Sequence, residues 1–515
     1  MRKICCALCT GALLLVFLST TSAGADAIQI QIAPEQAGHV IHPNLYGQFA
    51  EHVGACIYDG LWVGPDSGIP NDDGLRLDTL EALRALELPV VRWPGGCFAD
   101  TYHWRDGVGP RAERPHRMTT WGELESNAFG TDEFLRFCKL IGAQPYLCVN
   151  VGSGTPEEAR DWVEYCNGTL DTPNVNLRKA NGHDAPYGVR YWGIGNENWG
   201  CGGSMRPEFY ADEFRRFATF VHQAAGPEAE IFACGSYITR GAWDERFLAT
   251  MEDAKHLVDY LAVHYYANQS VPSADFPDET YHKLLAGNVG ELEACLERTV
   301  NLLKTHRQGK HEIKIALDEW GAWFSDATLE KGFRQQNTMQ DALFAAACFH
   351  VFHRFGEQLL MSNMAQTANV LQALVLTEGA QFHVTPTYHV YEMFKPHRGG
   401  QYIPVALEGT TEIQAPAGVS RPGQSVSASL SAGGGALFVS MLNLEIAQAA
   451  TVALNVPGAW KPVRMRRLAT GDLRSHNTYA APDRVTPEEL PLPDAAALAS
   501  FSLPPQSITT VLFEK

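Results

Sequence analysis

The chain has 515 residues, 45% hydrophobic and 19% charged, enough to bury a large core and to divide into one big domain and a smaller one. A formal net charge of -18 and a pI near 5.4 set aside nucleic acid and anionic membrane surfaces as partners, because phosphate binding needs clustered Lys and Arg. A neutral substrate suits such a surface better.

In chain order, residues 1–27 read as a signal peptide. Arg2 and Lys3 precede an apolar run from Ile4 to Leu18, and the small residues of Ser19 to Ala27 follow, with Ala23, Ala25 and Ala27 as alternative cleavage points. The other reading, an uncleaved anchor, is disfavoured because the run is short for a bilayer. The expected destination is secreted or periplasmic, two fates that a leader does not distinguish. No later segment reads as a membrane span. Three of the twelve cysteines, Cys5, Cys6 and Cys9, lie in this leader, so nine remain and at least one mature thiol is unpaired. Their scatter does not resemble a disulfide framework, and most read as buried small hydrophobes. With no CxxC, HExxH or Cys/His cluster, neither a metal nor another cofactor is expected.

Residues 28–45 open with an alternating strand, Ile28 to Ile32, that suits the edge of a sandwich better than a barrel. Across residues 46–395, apolar runs centred near Tyr46, Val91, Leu147, Trp192, Phe232, Val263, Ala316 and Met361 alternate with amphipathic, helix-length stretches. Eight strands about 45 residues apart predict a (β/α)8 TIM barrel with loop insertions. An open doubly wound sheet is the alternative, but the Gly-rich phosphate turn that usually follows its first strand is missing. Residues 396–515 change to short alternating strands such as Ala436 to Leu442 and Ile508 to Phe513, separated by Gly, Pro and Asn. They predict a C-terminal all-β sandwich, jelly-roll-like, completed by the strand at Ile28.

Barrel enzymes carry their chemistry at the carboxyl ends of strands. There the fourth run ends in Asn196-Glu197-Asn198-Trp199 and the seventh in Asp318-Glu319-Trp320, so two glutamates face each other across the barrel mouth. Paired carboxyls suit glycosidic cleavage, one protonating the leaving oxygen while the other attacks or activates water. Either glutamate alone reads equally well as a solvated strand-end carboxylate. Other strand ends offer Glu51 and His52, Arg92 and Cys97, His264 and Tyr266, and Gln366. A lone His264 reads more readily as a satisfied core histidine than as a catalytic one, since it carries no partner information. Arg92, at the end of an apolar strand, needs a carboxylate or several carbonyls, and Glu319 is the expected partner.

The segments Tyr46-Gly47-Gln48-Phe49-Ala50-Glu51-His52, Arg92-Trp93-Pro94-Gly95-Gly96-Cys97-Phe98, Gly195-Asn196-Glu197-Asn198, Asp318-Glu319-Trp320 and Tyr388-His389-Val390-Tyr391-Glu392-Met393-Phe394 together resemble glycoside hydrolase family 51, the α-L-arabinofuranosidases. The resemblance implies a retaining, exo-acting enzyme that releases terminal arabinofuranose from arabinan- or arabinoxylan-type glycans. In it Glu197 is the acid/base and Glu319 the nucleophile. It further implies that Glu51, Asn196, Tyr266 and Gln366 hold sugar hydroxyls or steady Glu319, with Gln372 a substitute for Gln366 if the last strand begins later. Trp104 and Trp323 would line the glycone and leaving-group sides, and Cys97, where many relatives carry Asn, would lie beneath the sugar. A homo-oligomer, often a hexamer in relatives, is implied as well. Two other readings stay open. One is a different retaining glycosidase of the same clan, a β-xylanase or endo-glucanase, and the other a non-catalytic carbohydrate-binding relative.

Overall fold

Eight short runs, buried along nearly their whole length, close on one another in a parallel barrel, as expected of strands covered by helices on one side and by the barrel's own side chains on the other. The computed structural model describes residues 27–307 and 309–515. The segment read as a leader lies outside them but for Ala27. After β1 (Ile28–Ile32) come the barrel strands β2 (Gly47–Phe49), β3 (Val90–Trp93), β4 (Gln144–Val149), β5 (Tyr191–Ile194), β6 (Glu230–Tyr237), β7 (Tyr260–Asn268), β8 (Lys314–Trp323) and β9 (Leu359–Ala365). They pair in sequence order, and β9 closes on β2 through Asn363–Gly47, Met364–Gln48 and Ala365–Phe49. The fold is therefore the (β/α)8 barrel that the spacing predicts.

Tyr46 marks the first strand from outside it. It ends a single 3-10 turn, Pro43–Tyr46, capped by the His42 side chain, and β2 begins one residue later. The crossovers are ordinary helices with legible starts. In Pro156–Asn167, Thr155 accepts from the Glu158 amide and Pro156 takes the first position. Helix Met339–Arg354 is different, being buried on every side from Met339 to His353. It lies between the barrel and the C-terminal strands, contacting both.

Those strands form two sheets. β1 pairs antiparallel with β11 (Val405–Glu408) and parallel with β14 (Ala450–Asn455), which continues to β16 (Phe501–Leu503). The facing sheet runs β10 (Gln401–Ile403), β12 (Gln424–Leu430), β13 (Ala436–Asn443), β17 (Ser507–Glu514) and β15 (Lys461–Ala469). Ile28, Ile30 and Ile32 pack in one cluster with Val439, Met441, Val452, Val511 and Phe513, so the alternation in β1 is that of a sandwich face. Among the described residues no helix is long and apolar enough to cross a membrane.

Candidate active site

The carboxyl ends of the barrel strands converge on a pocket of about 250 Å³ lined by Glu51, Cys97, Trp121, Glu197, Trp199, Tyr237, Tyr266, Glu319, Trp323, Phe333 and Gln366, among others. Its floor is ionic. Arg92, 1% exposed, donates from Nη1 to Glu319 Oε1 (2.9 Å), pairs through Nε with Asp318 Oδ2 (3.0 Å), and donates from Nη2 to Asn196 Oδ1. The partner expected for Arg92 is thus present, with a second carboxylate beside it.

Consecutive residues of a strand normally point to opposite faces, yet both Asp318 and Glu319 reach this arginine. The register explains how. Val263 pairs with Leu317 but His264 with Glu319, so Asp318 is an extra residue in β8, a bulge that turns the next side chain toward the mouth. Asp318 meanwhile accepts from Tyr146 OH (2.9 Å) and Asn363 Nδ2 (2.8 Å) inside the barrel.

Glu319 is almost fully buried. Burial pushes its carboxyl upward, but His264 and Arg92 outweigh that and hold it below the ordinary glutamate value, with Tyr266 OH donating to Oε2 at 2.8 Å. His264 responds in the opposite sense. Burial lowers it, and the charge of Glu319 with the contact to Glu197 more than reverses this, so it is raised. Its Nδ1 lies 3.0 Å from Glu197 Oε1 and 3.5 Å from Glu319 Oε2. One oxygen of each glutamate and this nitrogen all lie within 4.8 Å of one another.

Glu51 sits behind the pair. Oε1 accepts from the Phe98 amide (3.1 Å) and Oε2 from Gln366 Nε2 (3.1 Å), while burial and then the charge of Glu319 push its carboxyl up to about 7. Pro94-Gly95-Gly96 leaves space for these acids. A Cβ on Gly95, whose φ is +153°, would lie 2.5 Å from Glu51 Cγ, and one on Gly96 would lie 2.9 Å from Glu319 Oε1. Two buried atoms at or next to the pocket have no partner among the described residues, Asn196 Nδ2 and Gln366 Oε1. They are a donor and an acceptor of the kind that sugar hydroxyls satisfy.

Of the residues singled out from the sequence, Glu51, Cys97, Glu197, Tyr266, Glu319, Trp323 and Gln366 line the pocket, and Arg92, Asn196 and His264 stand directly behind it. Trp104 does not. Its ring is 1% exposed, lies 5.1 Å from the Tyr165 ring, and donates from Nε1 to Glu158 O (3.0 Å), so it belongs to the packing around helix Pro156–Asn167. The wall tryptophans are Trp199, Trp323 and Trp121, the last carried by a hairpin that pairs Arg117–Met118 with Leu124–Glu125 and set edge-on to Phe333. Nothing in the pattern of strand ends marks it, because it rides on an insertion. Gln372 is a brace, accepting from the Ala322 amide and donating to Asp341 O.

Cys97 is bonded to Cys201, and the seven other cysteines among the described residues are free and buried. Only this one pair departs from the reading of the cysteines as small hydrophobes.

A sequence model described as "Alpha-L-arabinofuranosidase 1 domain" matches residues 82–283, and one described as "Alpha-L-arabinofuranosidase C-terminal domain" matches residues 318–507. The chain is 38% identical over 469 residues to a Bacteroides ovatus protein named "Intracellular exo-alpha-L-arabinofuranosidase", covering 89% of this chain and 90% of that one. It is 36% identical to "Alpha-L-arabinofuranosidase C" of Emericella nidulans over 82% of this chain and 85% of that one. The crystal structure of the GH51 arabinofuranosidase from Xanthomonas axonopodis pv. citri superposes with a TM-score of 0.88 at 36% identity, covering 95% of this chain and 100% of that one.

Proposed function

Because this chain belongs to the α-L-arabinofuranosidases of glycoside hydrolase family 51, we propose that it releases terminal α-L-arabinofuranosyl groups from arabinan- or arabinoxylan-type glycans by double displacement, with Glu319 as nucleophile and Glu197 as acid/base. The observation that carries the mechanism is the approach of one oxygen of each glutamate to within 4.8 Å. Retaining enzymes hold their carboxyls about 5 to 5.5 Å apart, whereas inverting ones leave about 6.5 to 9.5 Å for a water.

Glu319, kept ionised by His264 and Arg92, attacks the anomeric carbon while Glu197 gives its proton to the departing oxygen. Glu197 then takes a proton from the water that cleaves the glycosyl ester. Asn196 Nδ2 and Gln366 Oε1 bind ring hydroxyls, with Glu51 beside them. A pocket of about 250 Å³ walled by Trp121, Trp323 and Phe333 suits a single terminal sugar and hence exo-action. Glu319→Ala should lose on the order of 10⁴-fold or more in kcat on 4-nitrophenyl α-L-arabinofuranoside. Glu197→Ala should stall at the ester and recover in part with azide. Full activity in the Glu319 variant would reject the assignment.

The same reading includes export. A leader-like start and a disulfide both suit an oxidising compartment, although the Bacteroides ovatus relative carries "Intracellular" in its name. Cell fractionation decides between the two destinations.

A further inference from the structure

The loop that carries Glu197 is held from behind by one short segment, the residues that follow β3. Asp100, 2% exposed, ties that loop to the one after β4. Oδ1 accepts from the Val151 and Gly152 amides (2.8 Å each), and Oδ2 accepts from the Asn196 amide (2.8 Å) and Asn198 Nδ2 (3.3 Å). Asn198 Nδ2 also donates to Gly202 O (2.8 Å), so the loop folds back on the carboxylate. The fit is close. A Cβ on Gly202 would lie 2.1 Å from Asn196 O and 2.5 Å from Asp100 Oδ2.

Three residues before Asp100, Cys97 makes the second link, its bond to Cys201. Cys201 Sγ lies 3.6 Å from Glu197 Oε2, a contact rather than a hydrogen bond because a disulfide sulfur carries no proton. Between the two links the chain takes a costly turn. Glu197 has φ +43°, a left-handed conformation that a side-chain-bearing residue keeps only when its surroundings over-determine it.

We propose that Asp100 is a positioning residue for Glu197, and that the Cys97–Cys201 bridge is the second tether of the same loop, so that proton transfer at the glycosidic oxygen depends on both. This rests on the reading of Glu197 as acid/base. Two of its four hydrogen bonds reach the Glu197 loop, at the Asn196 amide and Asn198 Nδ2 on either side of Glu197, while the other two anchor it on the loop after β4, so Asp100 acts through Asn196 and Asn198. Removing a tether lets the acid drift from the oxygen it must protonate, and a displacement of about 1 Å costs on the order of 10²-fold in rate.

The test is kcat/KM across arabinofuranosides whose leaving groups range from 2,4-dinitrophenol, which needs no proton, to methanol, which does. Glu197→Ala sets the reference, with little loss at the first and a large loss at the second. Asp100→Asn, which turns an acceptor into a donor facing N–H groups, should follow the same slope, with a loss of about twofold or less on the dinitrophenyl substrate and on the order of 10² on the methyl one. Asn198→Ala, which removes only the side-chain donor between Asp100 and Gly202, should show the same tilt at roughly tenfold and serves if Asp100→Asn fails to fold. For the bridge, dithiothreitol passes two electrons and two protons to the disulfide, leaving two thiols and its own cyclic disulfide. The reduced enzyme should tilt the same way and recover on reoxidation by oxidised glutathione. A merely structural role lowers every substrate by one factor. A tilted Glu197→Ala line with flat Asp100→Asn and Asn198→Ala lines overturns the proposal alone, whereas a flat Glu197→Ala line overturns the acid/base reading with it.

Discussion

Two buried histidine sites in this protein are shifted in opposite directions. At the barrel mouth His264 lies between two carboxylates and is raised above the ordinary imidazole value despite burial. Where helix Met339–Arg354 meets the sandwich, His350, His353 and His397 are equally buried and strongly lowered, by burial first and then by their neighbours, Arg354 for His353, His353 and Arg354 for His350, and the other two imidazoles for His397. Their partners are hydroxyls. Nδ1 of each is hydrogen-bonded to Ser425, Ser427 or Ser429 on β12, while Nε2 meets Ser440 for His350 and His397 and Tyr46 for His353, all at 2.8 to 2.9 Å. Burial alone therefore does not decide the state of an imidazole. Carboxylate neighbours favour the protonated ring at the mouth, and hydroxyl neighbours leave burial to favour the neutral one where two domains meet.

The largest way to break the contrast is to remove the cation that allows two acids at the mouth. Arg92→Met leaves Asp318 and Glu319 buried without their guanidinium, and losing one partner of such a pair destabilises by roughly 3 to 5 kcal/mol. Urea unfolding measures it. Glu319 is depressed in the folded enzyme, so the stability it contributes is present above its unfolded value and is lost as pH falls through the folded one. Without Arg92 the carboxyl moves up, and the acid limb of kcat/KM should move to higher pH with it. An unmoved limb would show that His264 alone holds the charge.

The interdomain site should yield to acid by the reverse logic. His353 is lowered to about 3, so between there and 6.5 the unfolded chain binds a proton that the folded chain refuses. Stability must therefore fall as pH drops through that window, by roughly 1.4 kcal/mol per unit for each histidine still neutral in the fold. The groups that face this ring are Tyr46, Ser427, His350, His397, His39 and Arg354. His353→Gln keeps a polar side chain that does not titrate, so its stability should decline less steeply from pH 6.5 to 4. A slope equal to that of the parent would place the acid sensitivity elsewhere.

What could be read from the sequence divides along the same line. Strands buried on both faces announce themselves as apolar runs, and their polar ends led to Glu197, Glu319, Glu51 and Arg92. Those residues depend on position in a strand, which periodicity reports. Trp104 was placed at the sugar by the resemblance alone and instead packs on Tyr165, and Trp121 was hidden because its hairpin has no counterpart in the barrel repeat. Asp100 was invisible for a deeper reason. Three of its four partners are backbone amides of two other loops, and no residue type encodes them. The serines at 425, 427 and 429 share one face of β12 by simple alternation, a pattern that suggests solvent, yet histidines of another element cover them.

Ser440 gives the smallest and cleanest test. Its hydroxyl lies between His350 Nε2 (2.9 Å) and His397 Nε2 (2.8 Å), with Ser427 O (3.4 Å) as a further acceptor for its one proton. Ser440→Ala leaves two buried nitrogens without a partner and should destabilise by about 1 to 3 kcal/mol. Ser440 lies in the sandwich and touches none of the residues at the mouth, so kcat/KM at 25 °C should not change. If the variant loses activity in proportion to stability even where it is fully folded, the two histidine sites are coupled, and the separation of a charged catalytic site from a neutral structural one does not hold.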